Sequence, residues 1–245
     1  MHVKDGVIVA VGQKLSAPGA TTINGAGMIV LPGLVETHWH MWNTLLRSMS
    51  GEKPEFGYFR TTAALGQKYE PTDMYLGTRL AAAEAINNGI TFVHDWCHNI
   101  RSARLCRAGS AGAAGIRAAR ALLLWRCAGA CRTTRASMLA DLERLARDWP
   151  NYSNDGLITL GLAWRGMGGN NPATAIPAEI YKAEIEAARK LGLPISVHAS
   201  GSRPAIGQVA TIAKAGLLAK DMQIIHGIVL TPGGDRGDQG RRALR

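Results

Sequence analysis

Seven histidines stand among the 245 residues, and four of them occupy places from which imidazoles can converge. His38 and His40 form an H-x-H pair at the end of a short apolar run, Leu34–Thr37. Residues two apart on a strand point to the same side, so both rings reach one point. His198 and His226 end two further runs, Pro194–His198 and Met222–His226, and are 28 residues apart, about one strand–helix repeat. In a parallel array of such repeats the strand C-termini share one face, where barrel enzymes keep their active sites. Four imidazoles meeting there suit Zn²⁺ or Fe²⁺. A single strand-end histidine reads as an ordinary pocket residue; four obeying one rule read as a metal site.

His94 and His98 flank Asp95-Trp96-Cys97 at another strand end and face the same mouth, as pocket lining or plain structure rather than as ligands. Trp39, Trp42, Trp96 and Trp164 lie at or near strand ends, which suits a flat heteroaromatic substrate and suits ordinary packing equally.

The elements that must position these residues can be read from periodicity. Val7, Val9 and Val11 alternate with Ile8, Ala10 and Gly12, and a second apolar run, Met28–Leu31, ends at Pro32-Gly33, so residues 3–31 read as strands of a small sheet. Strand–helix alternation follows. Thr72 is placed to cap a helix over Asp73–Asn88 that stops at Gly89. Strands are expected at Ile90–Asp95 and Leu157–Trp164, helices at Ala178–Leu191 and Ala205–Ala215, and a sixth strand within Ile116–Trp125. Alternating strands and helices argue for an α/β fold with a parallel sheet. An eightfold barrel needs eight strands in about 250 residues, so the expectation is a partial barrel over residues 34–232, followed by a tail at 233–245. Its first and last strands lack partners, which leads to the further expectation of homo-oligomerisation or poor solubility.

Composition narrows the class. With 47% hydrophobic and 19% charged residues the chain can bury a core, which excludes a disordered or disulfide-stapled protein. No apolar run approaches the roughly 18–20 residues of a membrane span, and the opening MHVKDGVIVAVG is unlike a secretory signal, so no membrane partner and a cytoplasmic location are expected. Cys97, Cys106, Cys127 and Cys131 form no disulfide framework, and Cys127-x₃-Cys131 lacks the second pair of a zinc ribbon.

The net charge of +10 invites a nucleic-acid reading, but residues 101–137 supply +8 of it and residues 233–245 the other +2. Ala, Arg and Gly make up 23 of the 37 residues in the first patch. Basicity confined to two such patches argues against a nucleic-acid partner. A frame-shifted reading of GC-rich DNA produces this composition, and so does a genuine Ala/Arg helix with a flexible tail.

Leu31-Pro32-Gly33-Leu34-Val35-Glu36-Thr37-His38-Trp39-His40 resembles the opening signature of the amidohydrolase superfamily, most closely its cytosine deaminase and triazine hydrolase branch. Ala82–Asp95, Ser196-Val197-His198 and Ile224-Ile225-His226 extend the resemblance, which covers roughly residues 3–100 and 138–232. It implies a TIM-type (β/α)₈ barrel with a small β-sandwich to which residues 1–33 would belong. It further implies one divalent metal, zinc or iron. His38, His40 and His198 would be ligands, and His226 either a ligand or the catalytic group that polarises the substrate. Trp39, Trp96, His98 and Trp164 would bind that substrate. No Lys stands in LITLGLAW, which favours one metal over two.

The reaction implied is hydrolytic deamination or dechlorination of a small N-heterocycle by metal-activated water, with carboxylates moving the protons. The rival readings are a cyclic-amide hydrolase of the imidazolonepropionase kind and a non-catalytic basic nucleic-acid-binding fragment. In this branch a Glu usually follows three residues after the His198 position; Gly201 stands there instead. A strand-eight Asp would fall beyond Arg245, so the 245-residue chain is expected to be inactive by itself. An uninterrupted reading frame in independently sequenced clones is the result that would reject the frame-shift explanation of residues 101–137.

Overall fold

Asp5 and Gly6, with φ of 51° and 77°, supply the left-handed pair that a two-residue hairpin turn requires. They join β1 (His2–Lys4) to β2 (Val7–Ala10) in an antiparallel ladder. The computed structural model describes residues 1–114, 120–125, 135–168, 175–201 and 203–231. The chain divides into two compact units, Met1–Pro32 and Gly33–Arg245. In the first unit the expected strand at Met28–Leu31 is absent: the run joins no ladder, and Ile29 is 87% exposed. An apolar run becomes a strand only where a neighbour takes its backbone hydrogen bonds, and none of the described residues does so here.

The second unit is built on six parallel strands: β3 (Leu34–Trp39), β4 (Ile90–Cys97), β5 (Arg120–Trp125), β6 (Ile158–Trp164), β7 (Ile195–Ala199) and β8 (Met222–His226). Their order in the sheet is their order in the chain. A doubly wound sheet reverses direction partway; a barrel does not. Side-chain contacts show the same curl. Trp96, Ala163 and Ile225 come from the alternate strands β4, β6 and β8 yet form one buried cluster, as layers inside a barrel do. The two outer strands of the ladder also meet, with Gln223 Nε2 donating to Thr37 O at 2.9 Å.

Among the described residues six α-helices accompany the strands: α1 (Tyr58–Gly66), α2 (Pro71–Asn87), α3 (Ala103–Ala114), α4 (Arg135–Asp148), α5 (Ala178–Lys190) and α6 (Gln208–Lys214). The main core lies between helices and sheet: Ile158, Leu160 and Leu162 of β6 and Ile195 and Val197 of β7 share it with Leu142, Leu145, Ile185 and Ile212. The cap of α2 is Glu70, not Thr72. Its side chain and that of Asp73 form a capping box, Asp73 accepting the Glu70 N–H at 2.8 Å. Helix α6 begins later than the apolar pattern predicts, because Gly207 at φ 81° interrupts the chain just before it.

The Arg/Ala-rich segment is part of this framework where it is described: α3 buries Leu105 and Cys106, and β5 pairs with β4 on one side and β6 on the other. Cys97 and Cys106 are buried free thiols, while Cys127, Cys131 and the tail at 233–245 lie outside the described residues. No helix among the described residues is long and apolar enough to cross a membrane.

One buried carboxylate holds the framework to the turn that follows His40. Asp95 is fully buried, and one of its carboxylate oxygens accepts the Met41 N–H at 3.0 Å, fixing that turn to β4; the other oxygen has no partner. Burial pushes its carboxyl up to about 7, against the pull of the Met41 N–H. The folded state therefore holds this proton more tightly than the unfolded chain, so stability is lost as the pH rises from about 4, where the unfolded carboxyl ionises, to about 7, where the folded one does, and is regained as the pH falls. Asp95→Asn keeps the acceptor without the charge. It should raise stability by roughly 1–3 kcal/mol at pH 8 and by much less at pH 5, as read from urea midpoints at the two pH values.

Helices α2 and α3 approach closely where a glycine permits it: a Cβ at Gly112 would lie 2.6 Å from the Tyr75 carbonyl oxygen. Backbone cannot yield as a side chain can. Gly112→Ala should therefore lower stability by about 1–3 kcal/mol in the same measurement, despite alanine's better helix propensity.

Candidate metal centre

The C-terminal ends of β3, β7 and β8 deliver His38, His198 and His226 to one place. One nitrogen from each ring lies within 4.8 Å of the others. The Nε2 atoms of His38 and His198 are 3.2 Å apart. His226 is held in a left-handed backbone conformation, φ 76°, rare for a residue with a side chain. The turn carrying it is tied to the end of β7 by Gly227 N–H donating to Ala199 O and Val229 N–H donating to Ser200 O.

His40 stands beside this trio. Its ring centroid is 4.6 Å from that of His38, and its ring stacks on His198 at 5.4 Å. Its Nδ1 contacts the Trp96 carbonyl at 2.6 Å; since a carbonyl only accepts, Nδ1 carries the hydrogen and Nε2 the lone pair. His98 packs on the far side of His40, with the two Nδ1 atoms 3.0 Å apart.

His94, 2% exposed, supports the site from below. Its Nδ1 donates to Thr37 O at 2.6 Å, so that carbonyl, immediately before His38, is held by β4 through His94 and by β8 through Gln223. On the other side of the same peptide link, the Glu36 carboxylate accepts the His38 N–H at 2.9 Å.

Burial sets the charge state. It lowers His198 to about 2, helped by repulsion from His38, His40, His226 and His98. It lowers His38 to about 3, helped by His40, His226 and His94. His40 is lowered too, chiefly by burial and against the pull of the Trp96 carbonyl. These imidazoles are neutral at ordinary pH, the form in which histidine binds metals. Two neutral nitrogens at 3.2 Å share either a hydrogen or a cation. Tetrahedral ligands at zinc distances sit about 3.3 Å from one another, so the spacing fits. His38 Nδ1 is buried without a hydrogen-bond partner among the described residues.

A cavity of about 510 Å³ opens against the cluster. His40, His198 and His226 line it, and so do three residues expected to meet a substrate, Trp96, His98 and Trp164. Trp39 does not. It packs with Met41, Ala81 and Val93 and borders an adjoining opening lined also by His38, His40, His198 and His226. Period-two alternation places it there: neighbours of an inward H-x-H pair point outward. Tyr58, Phe59 and Arg165 line the cavity and are not singled out by the sequence motifs. Arg165 directly follows Trp164, so the strand-end rule could have found it; Tyr58 and Phe59 begin a helix that only tertiary packing brings near. No Asp or Glu is among the described residues lining this cavity, and Gly201 is part of its wall.

Comparison with known proteins agrees with this architecture. A 5-methylthioadenosine/S-adenosylhomocysteine deaminase from Pelotomaculum thermopropionicum is 28% identical over 207 residues, covering 82% of this chain and 44% of the relative. The same-named protein of Natronomonas pharaonis is 31% identical over 199 residues, covering 80% and 42%. An 8-oxoguanine deaminase from Pseudomonas aeruginosa is 34% identical over 98 residues, covering 38% and 22%. The chain thus spans less than half the length of each of these three relatives. A mutant of the atrazine chlorohydrolase TrzN from Arthrobacter aurescens, solved with zinc and atraton, shares the fold: the TM-score is 0.69 at 19% identity, covering 95% of this chain and 57% of that one. The sequence profile of the Amidohydrolase family matches residues 29–227 and so takes in every strand of the parallel sheet: the chain belongs to the amidohydrolase family.

Proposed function

We propose that this chain carries the metal site of a hydrolase that removes an amino or chloro substituent from a flat N-heterocycle. The convergence of His38, His198 and His226 beside an aromatic-lined cavity carries the reading. The deaminase relatives and the chlorohydrolase neighbour support this reaction class.

His38, His40 and His198 would hold one divalent ion, zinc or iron, with His226 as a further ligand or as the group that polarises the substrate. His40 suits the role because Trp96 takes its Nδ1 hydrogen and leaves Nε2 as donor. The ion would supply Lewis acidity and bring the pKa of a water towards neutrality. The indoles of Trp96 and Trp164 give a planar ring apolar surfaces against which to lie. Proton transfer falls to imidazoles, since His98 and His226 line the cavity and no described carboxylate does. With Gly201 where this branch usually has Glu, turnover by these 245 residues alone is expected to be slight. Reactions needing both a proton acceptor and a proton donor lose several orders of magnitude when one member is missing.

Elemental analysis of the purified chain tests the reading. We expect no more than one zinc or iron per chain, lost in His38→Ala and in His198→Ala. Two ions per chain, retained in both variants, would reject a single centre on these residues. Ammonia or chloride release from aminopyrimidines, aminopurines and chlorotriazines identifies the leaving group.

A further inference from the structure

We propose that Arg165 makes the cavity selective for heterocycles bearing an anionic, carboxylate-type substituent, its pairing with Glu184 forming a fixed dipole whose positive end lines the cavity. This rests on the reading of the cavity as a heterocycle site and adds the charge of the molecule it takes.

Arg165 follows the last residue of β6 and lines both the 510 Å³ cavity at the histidines and an adjoining one of about 370 Å³. His198, Ala199 and Gln208 border both as well, so Arg165 stands where the two meet. Behind it, Glu184 of α5 is 2% exposed, and its Oε1 accepts from Arg165 Nε at 3.1 Å and from Nη2. Glu184 lines neither cavity, and no Asp or Glu does among the described residues. Arg165 is therefore the one permanently charged side chain among the described lining of either cavity.

A buried ion pair is a poor device for stability, because desolvation consumes most of its attraction and an apolar pair of like volume does as well. A guanidinium clamped by a buried carboxylate is, however, a rigid, preorganised partner for an anion. The competing account is that the pair merely anchors β6 to α5. That role would change stability and leave ligand preference alone.

The experiment compares nicotinate with nicotinamide, flat N-heterocycles of nearly equal shape differing in charge. The intact chain is first stripped of metal with chelator, so that a carboxylate cannot ligate an ion, and kept at one fixed pH throughout. Binding is read by quenching of tryptophan fluorescence, since Trp96 and Trp164 line the cavity. We expect nicotinate to bind about tenfold or more tightly than nicotinamide, and the ratio to fall close to one in Arg165→Gln. Removing Arg165 alone strands Glu184 and can unfold the protein. The double variant Arg165→Gln/Glu184→Gln, with a thermal melt confirming its fold, should show the same loss. Equal affinities in the unaltered chain, or a preference that survives in the double variant, would overturn the role of Arg165 and leave the heterocycle site standing. Failure of both rings to bind would overturn the site and, with it, this inference.

Discussion

The curl of one parallel sheet is the condition for everything at the histidine cluster. Neighbouring strands run about 4.8 Å apart, so in a flat sheet β3 and β7, four steps apart in the ladder, would be separated by about 19 Å. Their histidines meet at 3.2 Å. The strands must bend towards one another, and packing inside the bend sustains it: Trp96, Ala163 and Ile225 can touch only across a concave interior. The hydrogen bond from Gln223 to Thr37 ties the two outer strands together one residue below His38. The site is a property of the sheet's curvature, not of any single loop.

Much of this was legible from residue spacing. A short apolar run ending in histidine recurs three times, and each proved to be a parallel strand whose end meets the cluster. Strand position is written locally, by the alternation of buried runs with amphipathic helices. What was not legible depends on partners distant in sequence. Met28–Leu31 has strand-like residues but no neighbour to complete its ladder. The cap of α2 fell to Glu70 because the chain enters the helix at Pro71, one residue before Thr72. Trp39 and Trp96 look equivalent in the sequence, yet one faces the α2 alanines and the other the cavity. Arg165 drew no notice because its meaning comes from Glu184, nineteen residues away on a helix.

The polar groups of this interior divide by how their charge is handled. The clustered histidines are deprived of water and crowd one another, so protonation is suppressed and lone pairs are left for an acid of another kind. Backbone carbonyls take the hydrogens that would otherwise point inward, Trp96 for His40 and Thr37 for His94. Arg165 has the buried Glu184 carboxylate directly behind it. His40, His94 and Arg165 are thus each oriented by a partner on the protein side, Trp96 O, Thr37 O and Glu184 respectively.

Gly201 bears on how such a site can change by descent. A Cβ at that position would lie 3.1 Å from His226 Cδ2 and 3.3 Å from its Cβ, closer than side chains ordinarily come. The ring of His226 and the bare backbone of Gly201 therefore occupy complementary shares of one space. A side chain enters at 201 only if His226, held in a left-handed conformation, gives way by a few tenths of an ångström. The two positions are coupled in one direction: a side chain at 201 displaces the ring at 226, whereas a smaller residue at 226 frees space at 201. A search for compensating change should begin with the residues that fix the turn after β8, not with the metal-binding strands themselves.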